Sequence, residues 1–557
     1  MDFYELFNNF RHNLNNDDFN GISEIFNKLR SIDLSQEFNF VHDVIEKDSL
    51  KNPEKTALIH YDMDTERSME ISYRDLVNRS NALLSFLRLN GLKKGSIVYL
   101  MMPVVPEQWY ALTATIKGGM IAIPCATNLT EYEMKNRFSD LKPDAIIADE
   151  RSANLIDNII PENTLRIVLG EKKNWESYNE IKFNKAEYEK TYYKDPILNY
   201  FTSGTTGLPK RVIHSAVGYP IGHMSTAAFI GIKSDYIHLN LSATGWAKFA
   251  WSSYFAPLIM NATILGINYS GKLNSEKYIS LLEKYHVNSF CAPPTAWKQF
   301  ILIKDLKLPE LKVAVSAGEP LNPEVINRFK EKTMITIRDF YGQTESTAMI
   351  GNMPGDDIIP GSMGRPSEMY HMVLLDEENK EINENDKIGN IAVKLDYNNT
   401  GLLLGYSDES RNRAAFVNNY YLTGDKAYLN NGHWFFVSRN DDIIKTSDYR
   451  VGPFEVESAL MVHDAVAEAA VIGINNPEKY EIIKAFIILK PGYNPSMDLA
   501  ISLKNKVSEL LPYYKVPSVI EFVNELPKTI SNKTRRNVLR DIESKKSSRG
   551  EHEYIIK

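Results

Sequence analysis

The chain has 557 residues, 64 Lys and Arg against 71 Asp and Glu for a net charge of −7, 43% hydrophobic residues and two cysteines. At about 100–200 residues per domain this composition predicts a folded protein of roughly three or four units and argues against disorder as the dominant state. The mild acidity excludes a chain-wide basic surface for nucleic acid or anionic membrane. Cys125 and Cys291, with no Cys-x-x-Cys partner, exclude a disulfide framework, a zinc knuckle or an iron–sulfur site, so a cytoplasmic location is expected.

Residues 1 to 40 carry Phe19, Ile22, Ile25, Phe26 and Leu29 at helical spacing and predict a peripheral helical lead-in without chemistry of its own. The acidic, aromatic start Met1-Asp-Phe-Tyr-Glu-Leu lacks the basic and apolar regions of a secretory signal, and no apolar run has transmembrane length. The apolar run from Ile97 to Pro106, broken by Pro103, reads as buried sheet. Predicted helices at Tyr73 to Leu89 and Pro106 to Lys117 alternate with strands at Ser96 to Leu100, Met120 to Pro124 and Ala145 to Ala148, which indicates α/β layers. The pattern recurs in a helix at Tyr278 to Lys284, a strand at Ser289 to Ala292, a helix at Pro323 to Lys330 and a strand at Thr336 to Phe340. Beyond residue 360, short strands with Gly, Asn and Asp turns predict a small β unit. A last α/β module then has helices near Pro453 to Met461 and Leu499 to Leu511, strands near Ala469 to Ile472 and Ile482 to Leu489, and a polar tail. The polar stretch Arg439 to Ile443 is the expected linker into that module.

The most informative segment is Tyr200-Phe-Thr-Ser-Gly-Thr-Thr-Gly-Leu-Pro-Lys-Arg. Glycines, hydroxyls and a lysine so close together supply backbone N–H groups, hydroxyl donors and positive charge to a polyphosphate. It is not a Walker A loop, because Leu208-Pro209 separates Gly207 from Lys210. Further along stand Ala317-Gly-Glu-Pro, Tyr341-Gly-Gln-Thr-Glu-Ser, Tyr421-Leu-Thr-Gly-Asp, Ser438-Arg-Asn-Asp-Asp, Tyr449-Arg-Val-Gly-Pro and Pro527-Lys-Thr-Ile-Ser-Asn-Lys. In this order the motifs resemble those of the adenylate-forming superfamily of acyl-CoA synthetases, luciferases and peptide-synthetase adenylation domains, over roughly residues 40 to 540. Thr244-Gly-Trp-Ala-Lys-Phe-Ala-Trp and Ala292-Pro-Pro-Thr-Ala resemble the medium-chain acyl-CoA synthetase branch.

The resemblance implies an α/β fold with a large N-terminal domain, residues 1–439, of two α/β subdomains and a small β-barrel-like subdomain. A small mobile α+β C-terminal domain, residues 440–557, follows and brings the catalytic lysine. It implies activation of a carboxylic acid by ATP to an acyl-adenylate with release of pyrophosphate, then transfer to CoA. The enzyme is expected to be a monomer or homodimer, without nucleic acid or a transmembrane segment. Since a carboxylate is a weak nucleophile and charge spreads over phosphoryl oxygens, such a site works by positioning and fixed charge and needs no protein nucleophile.

By resemblance, Thr202, Ser203, Gly204, Thr205, Thr206, Gly207 and Lys210 cradle phosphates, Gly318, Glu319 and Pro320 line the adenine, and Asp425 takes the ribose hydroxyls. Gln343 belongs to the same nucleotide set, Thr344 bonds the α-phosphate, and Glu345 holds Mg²⁺ on the nucleotide. Arg439 and Arg450 approach ribose and phosphates, and Lys533 bridges the carboxylate and the α-phosphate. Asp441 matches the hinge of the domain rotation. Trp246, Phe249 and Trp251 lie in the segment that lines the acyl site in relatives, and Gly342 stands where two-carbon synthetases carry a pocket-closing tryptophan. The missing indole implies room for a short branched, aromatic or medium-chain acid. The loop beside the CoA tunnel reads Ser447-Asp448-Tyr449 where relatives have glycine in the middle. A carboxylate there stands near the route of an anionic cofactor, which keeps open a different acceptor, a carrier-protein thiol or an amine.

Overall fold

In the computed structural model the described residues are 2–202, 210–446, 449–476, 480–529, 533–546 and 548–556. Two helices organise the N-terminal body. Pro106–Lys117 is buried at every residue but Glu107, and Gly218–Ile230 is buried throughout. A helix with apolar side chains all round must be enclosed, and both lie between two large sheets. Trp109 of the first stands against Gly266 of one sheet, while the same helix packs on Ile97–Met101 and Ile121–Pro124 of the other.

The first sheet runs Arg365–Pro366, Ala348–Gly351, Ile337–Gly342, Val313–Ala317, Ser289–Ala292, Ile237–Asn240, Thr263–Asn268, Thr56–Asp62 and Arg67–Ser72. The second runs Gly405–Tyr406, Lys210–Ser215, Pro196–Thr202, Ile121–Pro124, Ile97–Met101, Ala145–Asp149, Leu165–Leu169 and Glu176–Ser177. Both are parallel in the middle and antiparallel at the edge that meets the site. Covered on both faces, their central strands are nearly continuous apolar runs; the run expected as sheet from Ile97 to Pro106 is strand only over Ile97–Met101, and Pro106 opens the next helix, where a proline needs no N–H partner. A third, antiparallel sheet contains Met372–Leu375, Gly389–Lys394, Tyr420–Asn430 and His433–Arg439. A fourth contains Ile444–Thr446, Tyr449–Val451, Val466–Asn476, Tyr480–Leu489, Val519–Phe522 and Glu553–Ile555.

Two expectations are corrected. The lead-in is part of the core: in the helices Phe3–Asn15 and Phe19–Leu29, Phe7, Phe10 and Leu14 are fully enclosed. Between them Arg11 forms a buried two-point pair with Asp48, at 2.7 and 2.5 Å. Its remaining donors reach the carbonyls of Ile259 and, at 3.4 Å, Leu258. Lys55 Nζ donates to the carbonyl of Asn261, and Tyr73 Oη to that of Ala262 at 3.1 Å. These carbonyls end the helical run Ala247–Phe249, Ala250–Phe255 and Ala256–Ile259, where acceptors lack helical partners and positive charge is favourable. Asp48→Ala is expected to destabilise the protein by about 3–5 kcal/mol by leaving a buried guanidinium unpaired. Urea unfolding checks this, and Arg11→Met with Asp48→Leu should recover most of the loss.

The polar tail is the second correction. It folds back as Val519–Phe522, Arg536–Ser544 and Glu553–Ile555. Its charges are spent on a fully buried Lys484, which pairs with Glu521, Glu543 and Glu553 at 2.8, 2.7 and 3.0 Å. No helix among the described residues is long and apolar enough to cross a membrane.

Candidate active site

The strand Ile337–Gly342 delivers Tyr341-Gly-Gln-Thr-Glu to the edge where three sheets converge. Asp425, on the neighbouring strand Tyr420–Asn430, is buried, and its Oδ2 accepts from Tyr341 Oη at 2.7 Å and Gln343 Nε2 at 2.6 Å. Oδ1 has no protein donor among the described residues. Burial raises the Asp425 pKa against these two donors. Gln343 is held in turn by the Thr423 carbonyl at 2.9 Å and by Tyr421 Oη at 3.3 Å. Glu345 receives Tyr406 Oη on Oε1 at 3.0 Å, and burial pushes its pKa up. Its Oε2 has no protein donor among the described residues.

Thr344 is fixed by its main chain: His214 Nε2 donates to its carbonyl at 2.7 Å. His214 is fully buried, stacks on Tyr219 at 3.8 Å, and burial lowers its pKa to about 3, so it is a neutral donor. Lys210 pairs with Thr202 across adjacent strands, and burial lowers its pKa against the attraction of Glu345. Ser203, Gly204, Thr205, Thr206 and Gly207 lie outside the described residues, as do Ser447 and Asp448.

Gly318 follows the strand Val313–Ala317 with φ +98°, a conformation that favours glycine. Lys533 reaches across from the fourth sheet's unit, and its Nζ donates to the Gly318 carbonyl at 2.7 Å. Burial raises the pKa of Glu319, opposed first by the charge of Lys533. Beyond Pro320, the Leu321 N–H donates to Asp339 Oδ2 at 3.2 Å, and burial pushes the Asp339 pKa up to about 8. A carboxyl that stays protonated in the fold above its ordinary range contributes stability at low pH that is lost as pH rises from about 4 to about 8. Asp339→Asn is expected to flatten that decline while keeping an acceptor for Leu321, as melting temperatures across this range will test.

Arg439 pairs with Asp441 at 3.7 Å and stands opposite Asp425 in strand register. Arg450 Nη1 donates to Glu377, an exposed carboxylate between two strands of the third sheet, at 2.8 Å. Tyr449 stacks on Tyr514 at 3.9 Å.

The acyl-segment aromatics separate. Phe249 packs on Trp109 at 5.1 Å and is buried in the core. Trp246 is half-buried at the start of the helical run. Trp251 points to Gly342: a side chain at 342 would meet the indole Cη2 at 2.7 Å and the Thr347 carbonyl oxygen at 2.5 Å. The Trp251 N–H is held by Tyr219 Oη at 2.9 Å. The space expected to be empty beside Gly342 is thus occupied by an indole from another element, and a glycine is what permits it. His214, Tyr219 and Tyr406 carried no motif signal; only the fold brings them to the site.

Among known proteins, the AMP-binding enzyme family matches residues 45–406, and the AMP-binding enzyme C-terminal domain matches residues 455–533. The chain belongs to the AMP-binding enzyme family. It is 51% identical to 4-hydroxybutyrate–CoA ligase 1 of Metallosphaera sedula, over all of this chain and 99% of that protein. It is 35% identical to the mitochondrial acyl-coenzyme A synthetase ACSM3 of Rattus norvegicus, over 91% of each. The crystal structure of the anthranilate CoA ligase AuaEII with anthranoyl-AMP superimposes with a TM-score of 0.83 at 29% identity, covering 92% of this chain and 98% of that one. Within its family the chain is an acyl-CoA ligase, taking a carboxylic acid, ATP and CoA.

Proposed function

We propose that this ligase activates a short acid with an oxygen at its far end, a hydroxy acid of the 4-hydroxybutyrate type, in the cytoplasm. The observation that carries this reading is the Trp251 indole against Gly342, which we read as the end wall of a short acyl pocket; the 51% identity to a 4-hydroxybutyrate–CoA ligase agrees with it.

In this reading the acid's carboxylate attacks the α-phosphorus of ATP and pyrophosphate leaves. Asp425 Oδ1 is open to a ribose hydroxyl, since its other oxygen is taken by Tyr341 and Gln343. Gly318 to Pro320 line the adenine. Thr202, Lys210, Thr344 and Arg439 face the phosphates. Glu345, a hard oxygen donor with one oxygen uncommitted, fits Mg²⁺, which would neutralise phosphate charge. Lys533, one carbonyl away from the nucleotide segment, supplies a point charge at the carboxylate and α-phosphate. Residues 440–557 then rotate about Asp441, the CoA sulfur attacks the acyl carbonyl, and AMP leaves. Tyr449 borders the CoA route. The relatives favour CoA over the carrier-protein or amine acceptor that Asp448 keeps open.

Pyrophosphate release, measured across linear acids with and without a terminal hydroxyl, tests the reading. The fastest turnover is expected with 4-hydroxybutyrate, followed by CoA-dependent thioester formation. A preference for long-chain or aromatic acids would overturn the acid assigned.

A further inference from the structure

His223 has no part in the reaction above. It sits on the helix Gly218–Ile230, fully enclosed, with its ring 4.5 Å from Tyr219, stacked on Phe255 at 4.8 Å and 6.1 Å from Trp251. Its Nδ1 lies 3.1 Å from Thr226 Oγ1, and that oxygen accepts the Ala348 N–H at 3.3 Å. Among the described residues the Thr226 hydroxyl hydrogen has no other acceptor, so its bonds are all made when it is given to Nδ1, an arrangement that puts the ring's own hydrogen on Nε2. Burial holds the ring neutral, well below its ordinary pKa. Nε2 is buried and has no partner among the described residues.

A buried donor without an acceptor is costly, and interiors rarely leave one. Here it sits beside the aromatic wall that Trp251 and Tyr219 build, next to the strand Ala348–Gly351 that follows the Gln343-Thr344-Glu345 turn. The acceptor that the protein does not provide matches the oxygen of a short, far-end-oxygenated acid. We propose that the His223 Nε2–H binds the distal hydroxyl or carbonyl oxygen of the acyl substrate and so selects an oxygenated acid over its plain counterpart. The inference rests on the reading of Trp251 and Gly342 as the acyl pocket. A site built to bond a substrate hydroxyl discriminates strongly against the analogue lacking it, because its own polar group is then left unpaired.

The test compares kcat/KM for 4-hydroxybutyrate and for butyrate by pyrophosphate release. His223→Leu is expected to lower the ratio of the two by about tenfold or more, and His223→Gln, which keeps an N–H, to retain part of it. Thr226→Val, which removes the hydroxyl that fixes the ring hydrogen, should give an intermediate loss and serves if the leucine variant does not fold. A wild-type preference for the hydroxy acid that survives undiminished in His223→Leu, or in Thr226→Val, overturns the role of His223 alone. A wild-type enzyme that treats both acids alike overturns the hydroxy-acid reading and this inference with it.

Discussion

Lys533→Ala is expected to lower the rate of acyl-adenylate formation by about a hundred- to a thousand-fold, the loss of about 2.7–4 kcal/mol that follows removal of a fixed donor from developing charge. The lysine already reaches the segment proposed to line the adenine, its Nζ 2.7 Å from the Gly318 carbonyl oxygen, and its charge opposes the burial-driven rise of the Glu319 pKa. Exchanging a carbonyl for the substrate carboxylate and α-phosphate asks little reorganisation of it. Formation of thioester from chemically prepared acyl-adenylate and CoA should stay near the wild-type rate, because in the proposed rotation about Asp441 a different face of residues 440–557 serves that step. Equal losses in both half-reactions would show that Lys533 acts on folding, and undiminished adenylation would remove it from the reaction.

Trp251→Ala is expected to move the preference of the enzyme toward longer chains. Each methylene newly buried contributes about 0.8 kcal/mol, roughly fourfold, so hexanoate should gain about one decade in kcat/KM relative to butyrate. The gain is bounded by the Thr347 carbonyl, which stays against Gly342 whatever stands at 251. For the same reason Gly342→Ala should lower activity on every acid, since its methyl group meets both that carbonyl and the indole. A Trp251→Ala enzyme with the wild-type ratio of hexanoate to butyrate would place the acyl chain elsewhere.

Local patterns were readable to within a few residues. The helices Tyr73–Leu89, Pro106–Lys117 and Pro453–Met461 stand where the apolar spacing, capping residues and prolines put them. Motif order anticipated which segments come together: Tyr341, Gln343 and Asp425 meet in one hydrogen-bonded group, and Lys533 arrives beside Gly318. What could not be read depended on contacts between segments far apart in sequence. The absence of an indole at 342 says nothing about an indole at 251, and no spacing rule connects His214 to the Thr344 carbonyl. Arg450 bears its motif yet bonds Glu377, an acid with no motif of its own. The amphipathic lead-in gave its helices but not their depth, because the decisive partners, Asp48 and the carbonyls of Leu258 and Ile259, come from elsewhere.

The charged residues that end the chain have a further consequence for anyone who shortens it. Lys484 lies in the middle of the fourth sheet with no solvent contact, and two of its three carboxylates, Glu543 and Glu553, come after residue 535. A truncation there would leave the buried ammonium ion with Glu521 alone and remove the helix Arg536–Ser544 that follows Lys533. The residues after 535 thus hold the unit from which Lys533 reaches Gly318, and with Lys533 in its proposed role a deletion that looks cosmetic is expected to be read out as a slow first half-reaction.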